Sequence, residues 1–349
     1  MTRALSAVRV RQALARFPQA RVLVVGDLIL DEFIWGQVSR ISPEAPVPVV
    51  EVSSESCMPG GAANVAHNVR ALGGQVFAAG VVGRDRAGQT LLEELQRRKI
   101  HVEGILMDAD RPTTIKTRVI AHHQQVVRVD KETHAPIDKR LGAALLSTVR
   151  AQIPLVDAVI IEDYGKGVVT RRLLEEVIPL ARRHRKAILV DPKEEHLDLY
   201  RGVTAITPNR HEAGNAVGRV LKDEASVDAA ARELLRRLRS DAVLMTLGED
   251  GMLLLERGGR RTRVPTVAQE VFDVAGAGDT VIATFALALA AQMSMPDAAV
   301  LANYAAGIVV GKVGTAVATA DEVLTRVNGS PRRTTTRAFQ RTPRLVHEA

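Results

Sequence analysis

The strongest constraint on this chain is the alternation that sets in at about residue 137. Short unbroken apolar runs are followed, again and again, by stretches of helical period. A helix over 137–150 leads to AVIIED (158–163); a helix over 171–183 leads to AILVDP (187–192). TAITPN (204–209) precedes a helix at 211–217, and a helix at 227–238 runs into AVLMTLG (242–248). A strand covered on both faces reads as a continuous apolar run, and helices between such strands make parallel crossovers. The pattern predicts an α/β fold, a mostly parallel sheet with helices on both faces. RVLVVGD (21–27) and QVFAAGVVG (75–83) supply two further strands, with helices after the Gly-Gly turn of GGAANVAHNVRALGG (60–74) and over 89–97. MLLLE (252–256) and RTRVP (261–265) read as a hairpin. Helices over 281–291 and 297–310, and a short one after Thr319, close the unit.

Two stretches break this rhythm. Over 33–57 the chain carries FIWG, three prolines (Pro43, Pro46, Pro48) and VPVVEV, which reads as extended, edge-like structure. Over 113–130, TTIKTRVIAHHQQVVRVD alternates apolar and polar residues around a polar turn at His122 and His123, a hairpin pattern. Two such excursions can pair as a small β-sheet, either as a lid over a site or as a dimer surface, and the two roles are compatible. The organisation expected is one domain over 18–328 carrying this lid, an amphipathic helix within 1–17, and a tail over 329–349.

Composition narrows the function classes. The net charge is +7, but the last 19 residues hold five arginines and one glutamate, which leaves an ordinary balance elsewhere. The tail is polar, proline-broken and aperiodic, as disordered segments are. With 3% aromatics there is little on which to stack bases, which argues against nucleic acid as a partner. A single cysteine, Cys57, allows neither an internal disulfide nor a cysteine-built metal site and fits a reducing compartment. No apolar run is long enough for a membrane span, and the arginine-rich first 17 residues lack the apolar middle of a signal peptide. A cytoplasmic protein that does not engage a membrane is expected.

The chemistry centres on DVAGAGDT (273–280), which opens the helix at 281–291. The first N–H groups of a helix have no internal partner and carry the positive end of its dipole, so an anion fits there. Ala275, Gly276, Ala277 and Gly278 leave that backbone bare, and Asp279 stands beside it as a carboxylate able to accept a proton. Bare backbone for a phosphate and a base next to it are what phosphoryl transfer needs. Several strands also end in polar residues: Asp27 with Asp31 four residues on, Asp163 followed by Lys166, and Asp191 followed by Lys193. Asn209, Glu212, Thr246, Gly248, Asp250 and Gly251 come from the later ones. In such sheets ligands sit at the carboxyl ends of the strands, and an acidic rim around a phosphate implies a bound cation.

DVAGAGD resembles the second signature of the PfkB, or ribokinase-like, carbohydrate kinases, and GGAANVAHNVRALG resembles the first. TPNRHE and TLGEDG match the family's Asn-x-x-Glu and Thr-x-Gly elements, in the family's order, over roughly residues 20–325. Longer runs are similar to the kinase domain of the D-glycero-β-D-manno-heptose 7-phosphate kinases of that family. They include GDLILDEFIWGQVSRISPEAPVPVVEV, EDYGKGV, VDPK, YRGVTAITPN, QEVFDVAGAGDTVIATFALALA and ANYAAGIVVGKVGTA.

That resemblance implies ATP-dependent phosphorylation of the anomeric hydroxyl of the heptose phosphate, on the route to ADP-heptose and lipopolysaccharide. The lid excursions add the expectation of a homodimer through the lid. With no second nucleotide-binding pattern after the kinase runs, the chain reads as a stand-alone kinase, or a kinase separated from its partner, with a separate adenylyltransferase acting downstream. Asp279 matches the catalytic base, and the backbone of Ala275 to Gly278 matches the anion hole. Asn209 and Glu212 match the element that organises Mg²⁺. Thr246 and Gly248, with Gly251, line the triphosphate path; Asn303 falls where the adenine pocket closes, and Lys193 is placed near the ATP phosphates. Asp31, Gly60, Gly61, Asn64 and Asp163 fall on the sugar side. The sugar's own phosphate needs cations, for which Lys116, Arg118, Arg128 and Lys166 are the candidates. Monovalent sites occur in the family near the segment after Asp273 and around Gly314, which adds K⁺ to the candidate cofactors. The competing readings are a PfkB kinase for another sugar phosphate or a nucleoside, and a nucleotide-binding regulator without catalysis. A dinucleotide enzyme is disfavoured because GDLILD lacks the required glycine spacing.

Overall fold

A computed structural model of the chain describes residues 5–122, 124–268, 271–312 and 314–329. His123, the first four residues and the basic tail from 330 onward lie outside the described residues. In chain order the elements are α1 (Ala7–Leu14), β1 (Arg21–Gly26), β2 (Leu28–Ile41), β3 (Pro48–Gly61), α2 (Ala62–Ala71), β4 (Gln75–Gly83) and α3 (Arg86–Arg97). Next come β5 (His101–Asp108), β6 (Thr114–Ala121), β7 (Gln124–Lys131), α4 (Lys139–Gln152), β8 (Ala158–Glu162), α5 (Arg171–Arg183) and β9 (Ala187–Asp191). The chain continues through β10 (Ala205–Ile206), α6 (Arg210–Ala216), α7 (Glu224–Leu238), β11 (Ala242–Thr246), β12 (Met252–Glu256) and β13 (Arg261–Val264). It ends with α8 (Ala277–Ala290), α9 (Met295–Val309) and α10 (Ala320–Gly329).

Among the described residues, nine strands form the main sheet in the order β13-β12-β11-β10-β9-β8-β1-β4-β5. All neighbours run parallel except β11–β12 and β12–β13. Side chains alternate across a strand, and the two core layers show it. Val22, Val24, Ile160, Leu189 and Leu244 face α1, α2, α8 and α9, whereas Leu23, Val25, Ile161, Val190 and Val243 face α4, α5 and α7. Helix α8 is buried almost all round because it lies against β1, β8 and β9 with α2 and α9 alongside, the setting in which a helix need not be amphipathic. From β1 the chain moves to β4 and β5, then returns to β8 on the other side and continues outward. The reversal opens a crevice at the carboxyl ends of β1 and β8, where open α/β sheets take their ligands.

The second sheet has the order β3-β2-β6-β7, with β2 and β6 parallel and each flanked by its antiparallel hairpin partner. The excursions reach further than the residue patterns indicate. The first hairpin leaves one residue after β1, pairing Leu28 with Gly61, so Gly60 and Gly61 end a strand rather than form a free turn. Strand β10 is only two residues long instead of running to 209. Pro208 has no N–H to give a ladder and Asn209 is recruited to cap α6. Strand β5, which pairs with β4, has no counterpart in the sequence reading, because HVEGILMD lacks both a continuous apolar run and clean alternation.

Candidate active site

Gly276 begins α8 in the left-handed conformation, with φ 74°. A Cβ there would lie 2.8 Å from Asn64 Nδ2, so only glycine allows this close approach of α2 and α8. Asp279 follows in the first turn, 4% exposed. Its Oδ2 accepts from Asn64 Nδ2 at 2.6 Å and its Oδ1 from the Tyr164 hydroxyl at 3.1 Å. Burial pushes the Asp279 carboxyl up to about 6; the hydrogen bonds from Asn64 and Tyr164 pull against it, and the charge of Asp31 adds to the rise. A carboxylate at that value is ionised at neutral pH yet basic enough to take a proton in transit.

The bare backbone is narrower than the sequence implies. The Ala275 N–H donates to Asp273 Oδ1 at 2.9 Å and the Ala277 N–H to the Val274 carbonyl at 3.2 Å. Gly276 and Gly278 remain as the two N–H groups of this turn with no acceptor among the described residues. Asp273 Oδ2 also accepts from the Gly314 N–H at 3.1 Å, tying together the two segments singled out for a monovalent cation.

Below Asp279 lie Glu162 and Asp191, the last residues of β8 and β9. One carboxylate oxygen of each lies within 4.8 Å of the others and of Asp279. Glu162 is fully buried; among the described residues no N–H or hydroxyl donates to its oxygens, and the Asp191 carboxyl is the group within hydrogen-bonding reach. Burial raises the Glu162 and Asp191 carboxyls well above their ordinary values; the charges of Asp191 and Asp279 add to the rise at Glu162, and those of Glu212 and Asp279 to the rise at Asp191. Such a group of oxygens fits a hard divalent cation, which would neutralise it.

Asp163 requires a correction. Its Oδ2 accepts from the Tyr200 hydroxyl and lies against His196 Nδ1, both at 2.7 Å, and its Oδ1 accepts from the Gly165 N–H. It braces the far layer rather than facing a sugar. Alternation explains the swap: Glu162 shares the parity of Ile160 and points toward α8, while Asp163 shares that of Ile161 and points away. Parity along AVIIED was the available signal for Glu162, and in AILVD it likewise turns Asp191 toward α8. Tyr164, also missed, is aimed by Asp27. That carboxylate accepts from the backbone N–H groups of Tyr164, Lys166 and Val168 at 2.8, 3.1 and 3.1 Å and so shapes the 163–168 loop.

On the nucleotide side, Asn209 and Glu212 form a reciprocal cap: Asn209 Oδ1 accepts from the Glu212 N–H, and Glu212 Oε2 from the Asn209 N–H. Burial raises the Glu212 carboxyl, and Asp191 lies close enough to feel its charge. Thr246 is bridged to Asn209 as a strand neighbour. Gly248 and Gly251 bound a tight turn, both with positive φ; a Cβ on Gly251 would collide with the Val264 carbonyl. The Lys193 side chain lies along Gly165, 3.3 Å from where a Cβ would stand, and its charge reaches Glu212. Asn303, buried on α9, donates to the Pro265 carbonyl at 2.8 Å and anchors the loop after β13.

On the lid side, Asp31 is buried on β2, opposite Lys116 in register. Burial raises its carboxyl, opposed by Arg118, whose Nη1 donates to Asp31 Oδ1 at 2.6 Å while its guanidinium lies over the Phe33 ring. Gly60 permits this, since a Cβ there would come 2.5 Å from Asp31 Oδ2; Gly61, with φ +53°, passes 2.6 Å from the Asp27 carbonyl by the same measure. The four candidate phosphate cations therefore divide. Arg118 is committed to Asp31, and Arg128, opposite Arg118 in register and so on the same face of the lid, grips Asp130 with Nε and Nη2. Lys116 and Lys166 converge on Glu132, at 3.4 and 2.7 Å. His122 Nε2 meets the Val38 backbone, a turn contact away from the centre.

Among the described residues no helix is long and apolar enough to cross a membrane. The chain is 48% identical to the bifunctional protein HldE of Desulfatibacillum aliphaticivorans over 90% of its length, and 45% identical to that of Wolinella succinogenes over 88%. It spans 64% and 65% of those relatives. Among solved structures the fold is shared with phosphofructokinase-2 from Escherichia coli (TM-score 0.73, 20% identity, 88% of this chain and 98% of that one). It is also shared with Arabidopsis thaliana ribokinase (0.70, 19%, 89% and 99%). The model of the pfkB family carbohydrate kinases matches residues 19–322, and the chain belongs to that family.

Proposed function

We propose that this phosphotransferase moves the γ-phosphoryl group of ATP to the anomeric hydroxyl of D-glycero-β-D-manno-heptose 7-phosphate. The 1,7-bisphosphate product then passes to an adenylyltransferase in ADP-heptose synthesis. The observation that carries this reading is Asp279: buried, poised near 6, held by Asn64 and Tyr164 at the start of α8, with Asp31 on one side and a two-lysine cradle beyond it. Asp31, Gly60 and Asn64 orient the sugar so that its hydroxyl meets Asp279. Asp279 takes the proton as the oxygen attacks, and the N–H groups of Gly276 and Gly278 stabilise charge on the moving phosphoryl. Lys116 and Lys166 hold the sugar's own phosphate.

ATP lies across Thr246, Gly248 and Gly251, with Lys193 near its phosphates and Asn303 behind the base. The oxygen-only set of Asn209, Glu212, Asp191 and the buried Glu162 fits Mg²⁺, which Asn209 and Glu212 would hold through waters. When bound, Mg²⁺ offsets charge on the transferring phosphates. The segment tied by Asp273 and Gly314 suits K⁺, which turnover with potassium replaced by choline tests. The outward valines of β7 and Val52 on β3 support a homodimer through the lid.

The deciding experiment is ATP turnover on heptose 7-phosphate, with NMR identifying the phosphorylated carbon. Good turnover of fructose 6-phosphate with none on the heptose would replace this reading by that of a kinase for another sugar phosphate.

A further inference from the structure

The two acids beside the phosphate cradle have no role in the transfer. Glu132 follows β7, and its side chain is 19% exposed. Its Oε1 lies 2.7 Å from Lys166 Nζ and 3.2 Å from His134 Nε2, and its Oε2 lies 3.4 Å from Lys116 Nζ. His134 Nδ1 in turn donates to the Gly165 carbonyl at 3.0 Å, and Lys116 is shared with Asp130 at 3.1 Å. Lys116 belongs to the lid strand β6, whereas Lys166 and Gly165 belong to the loop after β8. One carboxylate thus binds the lid to the main sheet through two lysines, 14% and 11% exposed.

Two ammonium groups around one carboxylate are also the environment a phosphate dianion would select. Lysines this buried need a counter-charge, and a pocket of uncompensated lysines would take any small anion. From this we propose that Glu132 is a built-in stand-in for the sugar phosphate. It holds Lys116 and Lys166 together until the phosphate of the substrate exchanges with it, and it excludes anions that lack a sugar to strengthen their hold.

The exchange makes or breaks no covalent bond. The displaced carboxylate swings toward solvent on the short segment after β7, and the phosphate takes over the link between lid and sheet. Glu132 is accordingly a specificity residue: it weakens binding of every phosphate, and only a ligand that also engages Asp31 and Asn64 recovers the loss. Burial opposes ionisation of Glu132, but Lys166 and Lys116 hold its carboxyl below the ordinary value, so the stand-in is charged at working pH.

This inference rests on the reading that the sugar carries a phosphate at this end, and its test needs no turnover. Inorganic phosphate is titrated calorimetrically into the full chain and its variants. Glu132→Gln is expected to bind phosphate about tenfold more tightly than the parent, while Glu132→Asp, still charged, stays within about twofold. Lys166→Met should abolish the signal with either residue at 132. Unchanged or weaker binding by Glu132→Gln overturns the proposal, because the carboxylate would then be a fixed support of the lysines. Should that variant fail to fold, a structure of the unaltered protein with phosphate at Lys116 and Lys166 decides. Glu132 released from both supports the exchange, and Glu132 still bonded to both refutes it. If phosphate behaves as expected but heptose 7-phosphate is not turned over, the substrate assignment falls and the exchange stands; the reverse pattern removes the exchange alone.

Discussion

In the proposed reaction, Asp279 and Tyr164 together set the acid limb. With the Asp279 carboxyl at about 6, kcat is expected to rise with pH through that value, as the base loses its proton, and to level off above it. Replacing Asp279 by Asn should lower kcat by about 10²–10⁴-fold while calorimetry still shows ATP binding. A variant with parental turnover would remove it from the chemistry. Tyr164→Phe deletes one of the two hydrogen bonds that favour the ionised carboxylate, so the acid limb should move to higher pH with little change in KM for ATP; an unmoved limb would reduce Tyr164 to packing. At this scale the sequence was uneven. Asp279 and Asn64 stand in recognisable runs. Tyr164 acts through a hydrogen bond across 115 residues of chain, and Glu162 and Asp163 exchange roles because facing depends on strand parity rather than on residue type.

Elements explain how these side chains are aimed. The 163–168 loop is wound on the Asp27 carboxylate, which is 1% exposed and accepts three backbone N–H groups. Asp27→Asn offers an N–H donor where an acceptor is needed, and a loss of about 1–3 kcal/mol is expected from urea unfolding. An unchanged midpoint would show that the loop is held by something else. The root of the lid is as tightly specified: Gly60→Ala should push Asp31 aside and raise KM for the sugar about tenfold, roughly 1.4 kcal/mol, with KM for ATP unchanged. The alternation after residue 137 made the parallel sheet legible, since apolar runs such as AVIIE tolerate no other placement. The joints were less so. Where β2 begins, and how little of TAITPN forms a strand, depend on pairing and capping that a local window does not contain.

For the molecule as a whole, the lid is where the proposed chemistry and the proposed assembly meet. Its inner side carries Asp31 and Lys116, and its outer side exposes Val127 and Val129. A homodimer through the lid predicts that Val129→Glu lowers the mass seen by light scattering from that of two chains to that of one, with ATP binding intact; a mass of two chains kept by the variant would place the association elsewhere. The crossing of the lid into the sheet has a further consequence for recombination. Strands β2 and β3 leave and re-enter within one residue of β1 and α2, while β6 and β7 lie between Thr113 and Glu132. On the proposed reading most of the sugar-reading surface is two cassettes, each spliced into an α/β body that keeps Asp279, Asn64, Lys166, the N–H groups of Gly276 and Gly278 and the turn at Gly248 and Gly251. Transplanting both cassettes from a relative, with joints at Asp27/Ala62 and Thr113/Glu132, should exchange one sugar for another without disturbing how the phosphoryl group is handed over.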